Sequence, residues 1–238
     1  MISKRYKHLL FDLDGTLWDF RKASFDSLAS LFKDAGLKDK GIADFESFHR
    51  IFKQINEDLW AYYRRGEMSR EVLSNKRFQL ALAHFGIDDP SLSHWFGEEY
   101  LARSTQEDHT FPEAKEVLSI LRKRTYRMHI LTNGFFQVQQ EKMLRSGLRP
   151  FFELILSSEE VGIGKPEPAF FDAAMKRIKA NSEECLMIGD DLDSDIEGAR
   201  RAGIDQVWFR CTTTGDNPLE DVATHRICSL SELIDLLP

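Results

Sequence analysis

The feature that most constrains the fold is an alternation of short apolar runs with longer amphipathic segments, from residue 111 to the end of the chain. The apolar runs predict strands at 128–131, 152–156, 185–188 and 206–209. The amphipathic segments between them predict helices that end near Gly147, Lys179 and Ala202, and Ser229 with Glu232 has the spacing of a capping box at a last helix. Parallel strands need a crossover connection, so this alternation predicts a parallel sheet covered by helices on both faces.

The segment from 21 to 103 has a different pattern, since it predicts helices only, at 23–35, 45–65, 70–85 and 92–103. An apolar run at 6–11 precedes it and ends in an acidic turn, as a buried first strand would. The predicted fold class is therefore α/β, with a Rossmann-like parallel-sheet core and an α-helical bundle inserted after strand one. We expect residues 1–18 and 108–238 to form the core and 19–107 to form the helical cap domain.

Composition excludes several classes of protein. Hydrophobic residues are 42% and charged residues 30% of the 238 positions, as in ordinary globular proteins. No apolar run approaches the roughly 18 residues of a membrane span, and the basic start lacks the apolar stretch of a secretory signal. The widely spaced Cys185, Cys211 and Cys228 favour a reducing compartment, and the net charge of −7 disfavours nucleic-acid binding. We expect a cytoplasmic monomer or homodimer that acts without a nucleic-acid polymer or a membrane.

Polar residues follow the predicted strands, at the edge where open parallel sheets bind ligands. These motifs are Asp12-Leu13-Asp14-Gly15-Thr16, Thr132-Asn133-Gly134, Gly164-Lys165-Pro166 and the run from Gly189 through Asp190, Asp191 and Asp195. Two acidic clusters at one sheet edge repel each other unless a cation lies between them. Carboxylate ligands without a histidine pair favour a hard divalent ion, of which Mg²⁺ is the usual choice.

The motifs together are suited to phosphoryl chemistry. Asp12 can attack a phosphorus atom, since Mg²⁺ would offset the repulsion between carboxylate and phosphate, and Asp14 can protonate the leaving oxygen. Thr132, Asn133 and Lys165 can bind the phosphoryl oxygens.

Each motif alone has a plainer interpretation: a surface turn for Asp12 to Thr16, a capping turn for Thr132-Asn133, and a solvated side chain for Lys165. A Ca²⁺ loop of the EF-hand type needs Gly at its sixth and Glu at its twelfth position, and neither acidic run provides them. Four such motifs in order, each at a strand end, favour a catalytic site.

The order of the motifs resembles that of the haloacid dehalogenase superfamily of aspartyl-nucleophile phosphotransferases, and the resemblance covers almost the whole chain, including the helical cap. It implies that Asp12 is the nucleophile and Asp14 the general acid and base. It further implies that Asp12, the backbone carbonyl of Asp14, and Asp190 hold Mg²⁺, with Asp191 and Asp195 as supporting carboxylates. The presence of Asp14 favours phosphate chemistry, because the dehalogenase branch lacks this acid.

Within the superfamily the chain is similar to a bacterial pyrimidine 5′-nucleotidase group, in residues 17–20, 55–67, 131–134 and 146–152. Gly15 departs from that group, which often has an acidic residue there. The implied function is Mg²⁺-dependent hydrolysis of nucleoside 5′-monophosphates, a small-molecule phosphate ester, through an aspartyl phosphate. The alternatives are a phosphatase for phosphoglycolate or a sugar phosphate, a phosphomutase, and a noncatalytic phospho-acceptor of the receiver type, which places its acceptor on a different strand.

Aromatic residues are frequent in the predicted cap: Phe20, Phe48, Phe52, Trp60, Tyr62, Tyr63 and Trp95. A nucleobase could stack on one of them, but we expect most of them to pack between the cap helices.

Overall fold

The computed structural model describes residues 6–106, 108–210 and 223–238. The chain divides into two compact units, one of Met1–Asp19 with His109–Pro238 and the other of Phe20–Asp108. The second unit contains helices α1 to α4, which are Phe20–Asp34, Phe45–Arg64, Arg70–His84 and Pro90–Arg103. The first unit contains helices α5 to α10, which are Ala114–Lys123, Phe136–Arg145, Ser158–Val161, Pro168–Ile178, Gly198–Arg201 and Glu232–Leu236.

A parallel sheet forms the centre of the first unit. Its strands β1 to β6 are His8–Phe11, Arg127–Thr132, Phe152–Ser157, Cys185–Gly189, Asp205–Phe209 and His225–Ile227. They lie in the order β3-β2-β1-β4-β5-β6, and every pair is parallel. The chain adds β2 and β3 on one side of β1 and then crosses to β4 on the other side. The resulting reversal of strand order beside β1 opens a crevice, which is where such sheets bind ligands.

The register of β1 brings the strand ends together. Phe11 lies opposite Ile130 of β2 and Ile188 of β4, so the three strands end within two residues of one another in the register of the sheet. All four residues of β1 are buried, because helices cover both faces of the sheet. On one face Leu10 and Met187 pack against Phe170 and Phe171 of α8. The polar residues after β1, β2 and β4 therefore start from a rigid, buried base.

The inserted unit is a bundle with its own apolar core. Three of its helices begin at side chains that accept a backbone N–H of the first turn, Asp44 for α2, Ser69 for α3 and Asp89 for α4. The core contains mostly aromatic and leucine side chains, among them Leu28, Leu31, Phe48, Phe52, Phe78 and Phe96. The predicted fold class, a parallel-sheet core with a helical insertion after strand one, is confirmed. The assignment of catalytic and cap roles to the two units stays a prediction.

Several local elements differ from the sequence-based predictions. The edge strand β6 and the short helix α7 were not predicted. The sequence predicts a helix from Asp193 to Ala202, whereas residues 192–197 form a π-helix and α9 begins only at Gly198. The last α-helix begins at Glu232, because the turn before it has i→i+3 hydrogen bonds, from the Glu232 N–H to the Ser229 carbonyl and from the Leu233 N–H to the Leu230 carbonyl. The Glu232 carboxylate accepts the Ser229 N–H at 2.8 Å, as the capping-box spacing predicted.

Cys185 and Cys228 are free thiols, and Cys211 lies outside the described residues. No helix in the described part of the chain is both long and apolar enough to cross a membrane.

Two histidines are buried side by side at the start of the sheet. His8 on β1 and His129 on β2 are 5% and 1% exposed, and His8 Nδ1 lies 3.0 Å from His129 Nε2. Burial, and secondarily the neighbouring His8, lowers the pKa of His129 to about 4, and burial also lowers the pKa of His8. Both rings are therefore neutral in the folded protein at neutral pH.

We expect this pair to make the protein less stable in weak acid. Below pH 6.5 an unfolded chain takes up a proton on His129, while the folded protein does so only near pH 4, so stability falls as the pH drops through this interval. Each pH unit within it costs up to about 1.4 kcal/mol per histidine. Urea unfolding at pH 7 and pH 5 measures the loss, and His129→Phe should reduce it.

The matched control is His94→Gln, since His94 is 61% exposed. The control should keep the wild-type difference between the two pH values. An unchanged difference in His129→Phe would show that the buried pair does not titrate in this way.

Candidate active site

Four side chains from distant parts of the sequence meet at the carboxyl edge of the sheet. Asp12 follows β1, Asp190 and Asp195 follow β4, and Lys165 lies in the loop before α8. Lys165 Nζ is 2.6 Å from Asp12 Oδ1 and 2.6 Å from Asp195 Oδ1, and it donates a third hydrogen bond to the Leu131 carbonyl at 2.8 Å. Three acceptors match the three N–H groups of an ammonium, so the lysine is held in one orientation.

Asn133 holds the backbone of Lys165. Its Nδ2 donates to the Lys165 carbonyl at 2.8 Å, and its Oδ1 accepts the Lys165 N–H at 2.9 Å. The next peptide bond, Lys165–Pro166, is cis. The sequence predicted that Asn133 binds phosphoryl oxygens, whereas its side chain here holds the backbone of the loop that contains Lys165. A direct substrate contact of Asn133 stays a prediction.

Asp190 is held from three sides. Thr16 Oγ1 donates to Asp190 Oδ1 at 3.2 Å, and Trp208 Nε1 donates to the Asp190 carbonyl at 2.9 Å. Gly15 has φ +93°, and a Cβ there would lie 2.3 Å from Asp190 Oδ2. Only glycine fits that conformation and that approach. This accounts for a glycine at position 15 of this chain.

Asp191 and Asp195 have separate tasks, although both were predicted to be supporting carboxylates. Asp191 Oδ1 accepts the backbone N–H groups of Asp193 and Ser194, at 3.1 and 2.7 Å, and so caps the π-helix. Asp195 is 1% exposed and lies in the cluster with Asp12 and Asp190, and one of its oxygens accepts the Asp191 N–H at 3.1 Å. Asp195 thus belongs to the centre of the site, and Asp191 shapes the loop around it.

The cluster has the donors that a divalent cation needs. One carboxylate oxygen from each of Asp12, Asp190 and Asp195 lies within 4.8 Å of the other two. Burial, and then the neighbouring carboxylates, raises the pKa of Asp190 to about 7; burial also raises the pKa of Asp12 and of Asp195. Lys165 supplies a single positive charge against these carboxylates. The excess negative charge and the all-oxygen donor set fit Mg²⁺, with Asp195 beside the predicted Asp12 and Asp190.

Lys165 is a cation at neutral pH. Burial alone would lower the pKa of its ammonium, yet Asp12 and Asp195 raise the pKa above its ordinary value. The charged form is therefore the one that a phosphoryl group would meet.

The Asp14 side chain lies in different surroundings. Lys142 Nζ is 2.6 Å from Asp14 Oδ1, and Gln139 Nε2 donates to Asp14 Oδ2 at 2.7 Å. The predicted metal contact of Asp14 concerned its backbone carbonyl, and that contact stays a prediction. The two aspartates of the first motif are thus held by different cations, Asp12 by Lys165 and Asp14 by Lys142.

The sequence analysis missed Gln139 and Lys142. Both lie on α6 and are buried, together with Met143. Polar residues three apart on the face that a helix buries break the expected apolar pattern, which is the signal that could have indicated them. Thr132, which was predicted, accepts hydrogen bonds from Gln139 Nε2 at 2.7 Å and from the Gly134 N–H at 3.0 Å.

Comparison with known proteins agrees with this arrangement. A family model described as haloacid dehalogenase-like hydrolase matches residues 6–203. The chain is 33% identical over 233 residues to pyrimidine 5′-nucleotidase PynA of Streptococcus pneumoniae, covering 98% of this chain and 95% of the relative. It is 30% identical over 236 residues to a glyceraldehyde 3-phosphate phosphatase of Methanocaldococcus jannaschii, covering 97% and 96%.

A solved structure is also similar over its whole length. It is the HAD-hydrolase YfnB of Bacillus subtilis bound to magnesium, with a TM-score of 0.87, 31% identity, and coverage of 98% of this chain and 99% of that one. These matches confirm the resemblance that the four motifs indicated. The chain belongs to the family of haloacid dehalogenase-like hydrolases.

Proposed function

We propose that this protein is a Mg²⁺-dependent phosphoric monoester hydrolase that acts on nucleoside 5′-monophosphates, as a pyrimidine 5′-nucleotidase. The observation that carries the proposal is the separation of the two aspartates of the first motif. Asp12 lies in the carboxylate cluster beside Lys165, while Asp14 lies outside it and is held by Lys142 and Gln139. Two carboxylates in different surroundings can serve as nucleophile and as acid and base.

In the first step the Asp12 carboxylate attacks phosphorus, and the bond from phosphorus to the ester oxygen breaks. Asp14 gives its proton to the leaving alkoxide. In the second step Asp14 takes a proton from water, the water oxygen attacks the aspartyl phosphate, and phosphate leaves Asp12. Lys165 and Thr132 bind the phosphoryl oxygens. A divalent cation held by Asp12, Asp190 and Asp195 would reduce the repulsion between the carboxylate and the phosphate.

The nucleotide substrate is supported by the resemblance to PynA and by the aromatic residues of the helical unit. Phe48 and Phe52 are in its apolar core, as expected for most of these aromatics. Tyr62 is 45% exposed, and the Arg65 guanidinium lies 4.8 Å from its ring centre. An exposed ring of this kind is available to a flat base.

A phosphatase for a sugar phosphate is the second candidate. The relative that acts on glyceraldehyde 3-phosphate is only slightly less similar to this chain than PynA. The residues that bind the phosphoryl group serve either substrate, because both are phosphate monoesters. The same residues are compatible with a phosphomutase, which would return the phosphoryl group to a sugar.

A substrate panel separates these candidates. We expect UMP, dUMP and dTMP to give higher kcat/KM than glyceraldehyde 3-phosphate, phosphoglycolate and hexose phosphates, because these three have no base. We expect the same order against purine nucleotides, because of the resemblance to PynA. Released inorganic phosphate is the readout. A sugar phosphate with a higher kcat/KM than all three nucleotides would contradict the nucleotidase proposal. An isomerised sugar phosphate formed without phosphate release would indicate a mutase.

Mg²⁺ should stabilise the folded protein, since the three carboxylates are close together only in the native state. At 100 times its Kd the ion should contribute about 2.7 kcal/mol to the free energy of unfolding. Thermal melting in EDTA and in excess Mg²⁺ measures this, and activity should disappear in EDTA and return with Mg²⁺.

Asp190→Asn should abolish most of the Mg²⁺-dependent rise of the melting midpoint. The matched control is Asp172→Asn on α8, an exposed aspartate that should leave the rise unchanged. Equal midpoints with and without Mg²⁺ in the wild-type protein would count against the metal site.

Two substitutions test the roles of the first motif. Asp12→Asn should abolish turnover, because an amide is a far poorer nucleophile than a carboxylate. Asp14→Asn should slow transfer from a nucleotide by about 10² to 10⁴-fold, the usual contribution of a positioned acid. It should slow transfer from p-nitrophenyl phosphate less, since nitrophenolate leaves without a proton. Single-turnover phosphoryl transfer measures both.

Circular dichroism and melting of the two variants are the controls for folding. Near-wild-type turnover by Asp12→Asn would rule out Asp12 as the nucleophile. Equal slowing of both esters in Asp14→Asn would rule out Asp14 as the acid.

A further inference from the structure

We propose that Gln139 and Lys142 are positioning residues of the phosphatase reaction: they hold the Asp14 carboxylate in place for proton transfer, and Gln139 fixes the Thr132 hydroxyl as a hydrogen-bond donor. The inference rests on the proposed phosphatase chemistry and adds two residues to it. All four side chains belong to the sheet-containing unit.

Lys142 holds Asp14 from the buried side. The Lys142 side chain is 3% exposed, and its ammonium lies 2.6 Å from Asp14 Oδ1 and 5.8 Å from the ring centre of Trp18. An ammonium buried to this extent is stable only beside a negative charge. The Asp14 side chain, by contrast, is 26% exposed. Asp14 is therefore anchored at one oxygen and still accessible to a bound ester.

Gln139 holds the second oxygen of the same carboxylate. Its side chain is fully buried, and Nε2 donates to Asp14 Oδ2 and to Thr132 Oγ1, each at 2.7 Å. A carboxylate only accepts hydrogen bonds, so the amide must present Nε2 to Asp14. Gln139 Oε1 is buried without a hydrogen-bond partner among the described residues. An unpaired buried carbonyl typically destabilises a folded protein by about 1–3 kcal/mol. The two hydrogen bonds of Nε2 therefore hold the Gln139 amide in an orientation that leaves Oε1 unpaired.

The contact also decides what Thr132 can do. A hydroxyl has two acceptor positions and one proton. The acceptor positions of Thr132 Oγ1 are taken by Gln139 Nε2 and by the Gly134 N–H at 3.0 Å. The proton is then directed away from both donors, which suits a phosphoryl oxygen. The same amide thus orients the acid and one of the groups that bind the phosphoryl oxygens.

The Gln139 amide fits in this position because residue 134 is a glycine, which has no Cβ atom. A Cβ on Gly134 would lie 2.2 Å from Gln139 Nε2. Since real Cβ atoms do not approach so closely, any larger residue at this position would displace Gln139 from Thr132 and Asp14.

The first test compares Lys142→Met and Gln139→Met with the wild type on two esters. Each substitution keeps an unbranched side chain of similar length and removes its donors. For an alkyl phosphate such as UMP we expect kcat to fall about 10-fold or more with KM changed about 2-fold or less, a fraction of what a positioned acid contributes. For p-nitrophenyl phosphate the fall should be clearly smaller. Lys142→Arg, which retains the charge, should recover part of kcat on UMP.

Matched controls lie on the same helix. Arg145→Met removes a cation that pairs with Glu141 at the surface, and Gln137→Met removes an exposed amide. Both should keep wild-type kinetics. Should Lys142→Met fail to fold because a buried charge partner is lost, Gln139→Met, which changes no charge, still gives the comparison.

The decisive measurement is a double-variant cycle with Asp14→Asn. If Lys142 acts through Asp14, then adding Lys142→Met to Asp14→Asn should change single-turnover transfer from UMP about 2-fold or less. Gln139→Met also releases Thr132, so in the Asp14→Asn background it should cause a smaller loss than it causes alone, but not none. Losses that multiply would overturn the inference, and so would equal losses on the two esters in the single variants.

Failure of this inference can be told apart from failure of the proposed function. If the wild type prefers another alkyl phosphate to UMP, the nucleotidase proposal is wrong, and the same cycle is measured with the preferred ester. If the wild type hydrolyses phosphate esters but the losses multiply, only the positioning role is wrong. A wild type that hydrolyses no phosphate ester overturns both.

Discussion

The arrangement of the site depends on the contacts that the buried Lys165 ammonium makes with the ends of three strands. The ammonium lies 2.6 Å from Asp12 and 2.6 Å from Asp195, and it also donates to the Leu131 carbonyl at the end of β2. Carboxylates this close would repel each other in a buried site, so the lysine keeps the ends of β1, β2 and β4 together. Its one positive charge leaves the cluster negative, and that remainder is what makes a divalent cation suitable there.

The sheet determines where the loops begin, and the loops contain the functional side chains. A parallel sheet whose order reverses beside β1 brings three strand ends to one crevice from widely separated parts of the chain. The loops then hold one another's side chains: Asn133 after β2 binds the backbone of Lys165, and Gly15 after β1 allows the close approach of Asp190. Asp191 acts within its own loop, where it caps the π-helix that contains Asp195.

The features that could be predicted from the sequence are those marked by a pattern in a short stretch of neighbouring residues. An apolar run followed at once by an acidic turn marks a strand end, so Asp12 and Asp190 could be placed at one sheet edge without a structure. The contact of Lys142 with Asp14 spans 128 positions and has no such signal. The strand β6 has only three residues, one of them exposed, and is too short to show a pattern. The hydrogen bond between His8 and His129 depends on the register of β1 against β2, which composition does not reveal.

The residues that would carry out the reaction and those that would select the substrate contact different parts of a phosphate ester. In the proposed reaction Asp12 and Lys165 act on the phosphoryl group, which is common to nucleotides and sugar phosphates, so their geometry constrains the reaction far more than the leaving group. This is consistent with relatives that act on a nucleotide and on glyceraldehyde 3-phosphate at nearly equal identity to this chain. Discrimination must therefore come from side chains that contact the leaving group alone. Within the helical unit by itself the aromatic residues are under different constraints: Phe48 and Phe52 are in the apolar core, while the Tyr62 ring is exposed and contacts the Arg65 guanidinium.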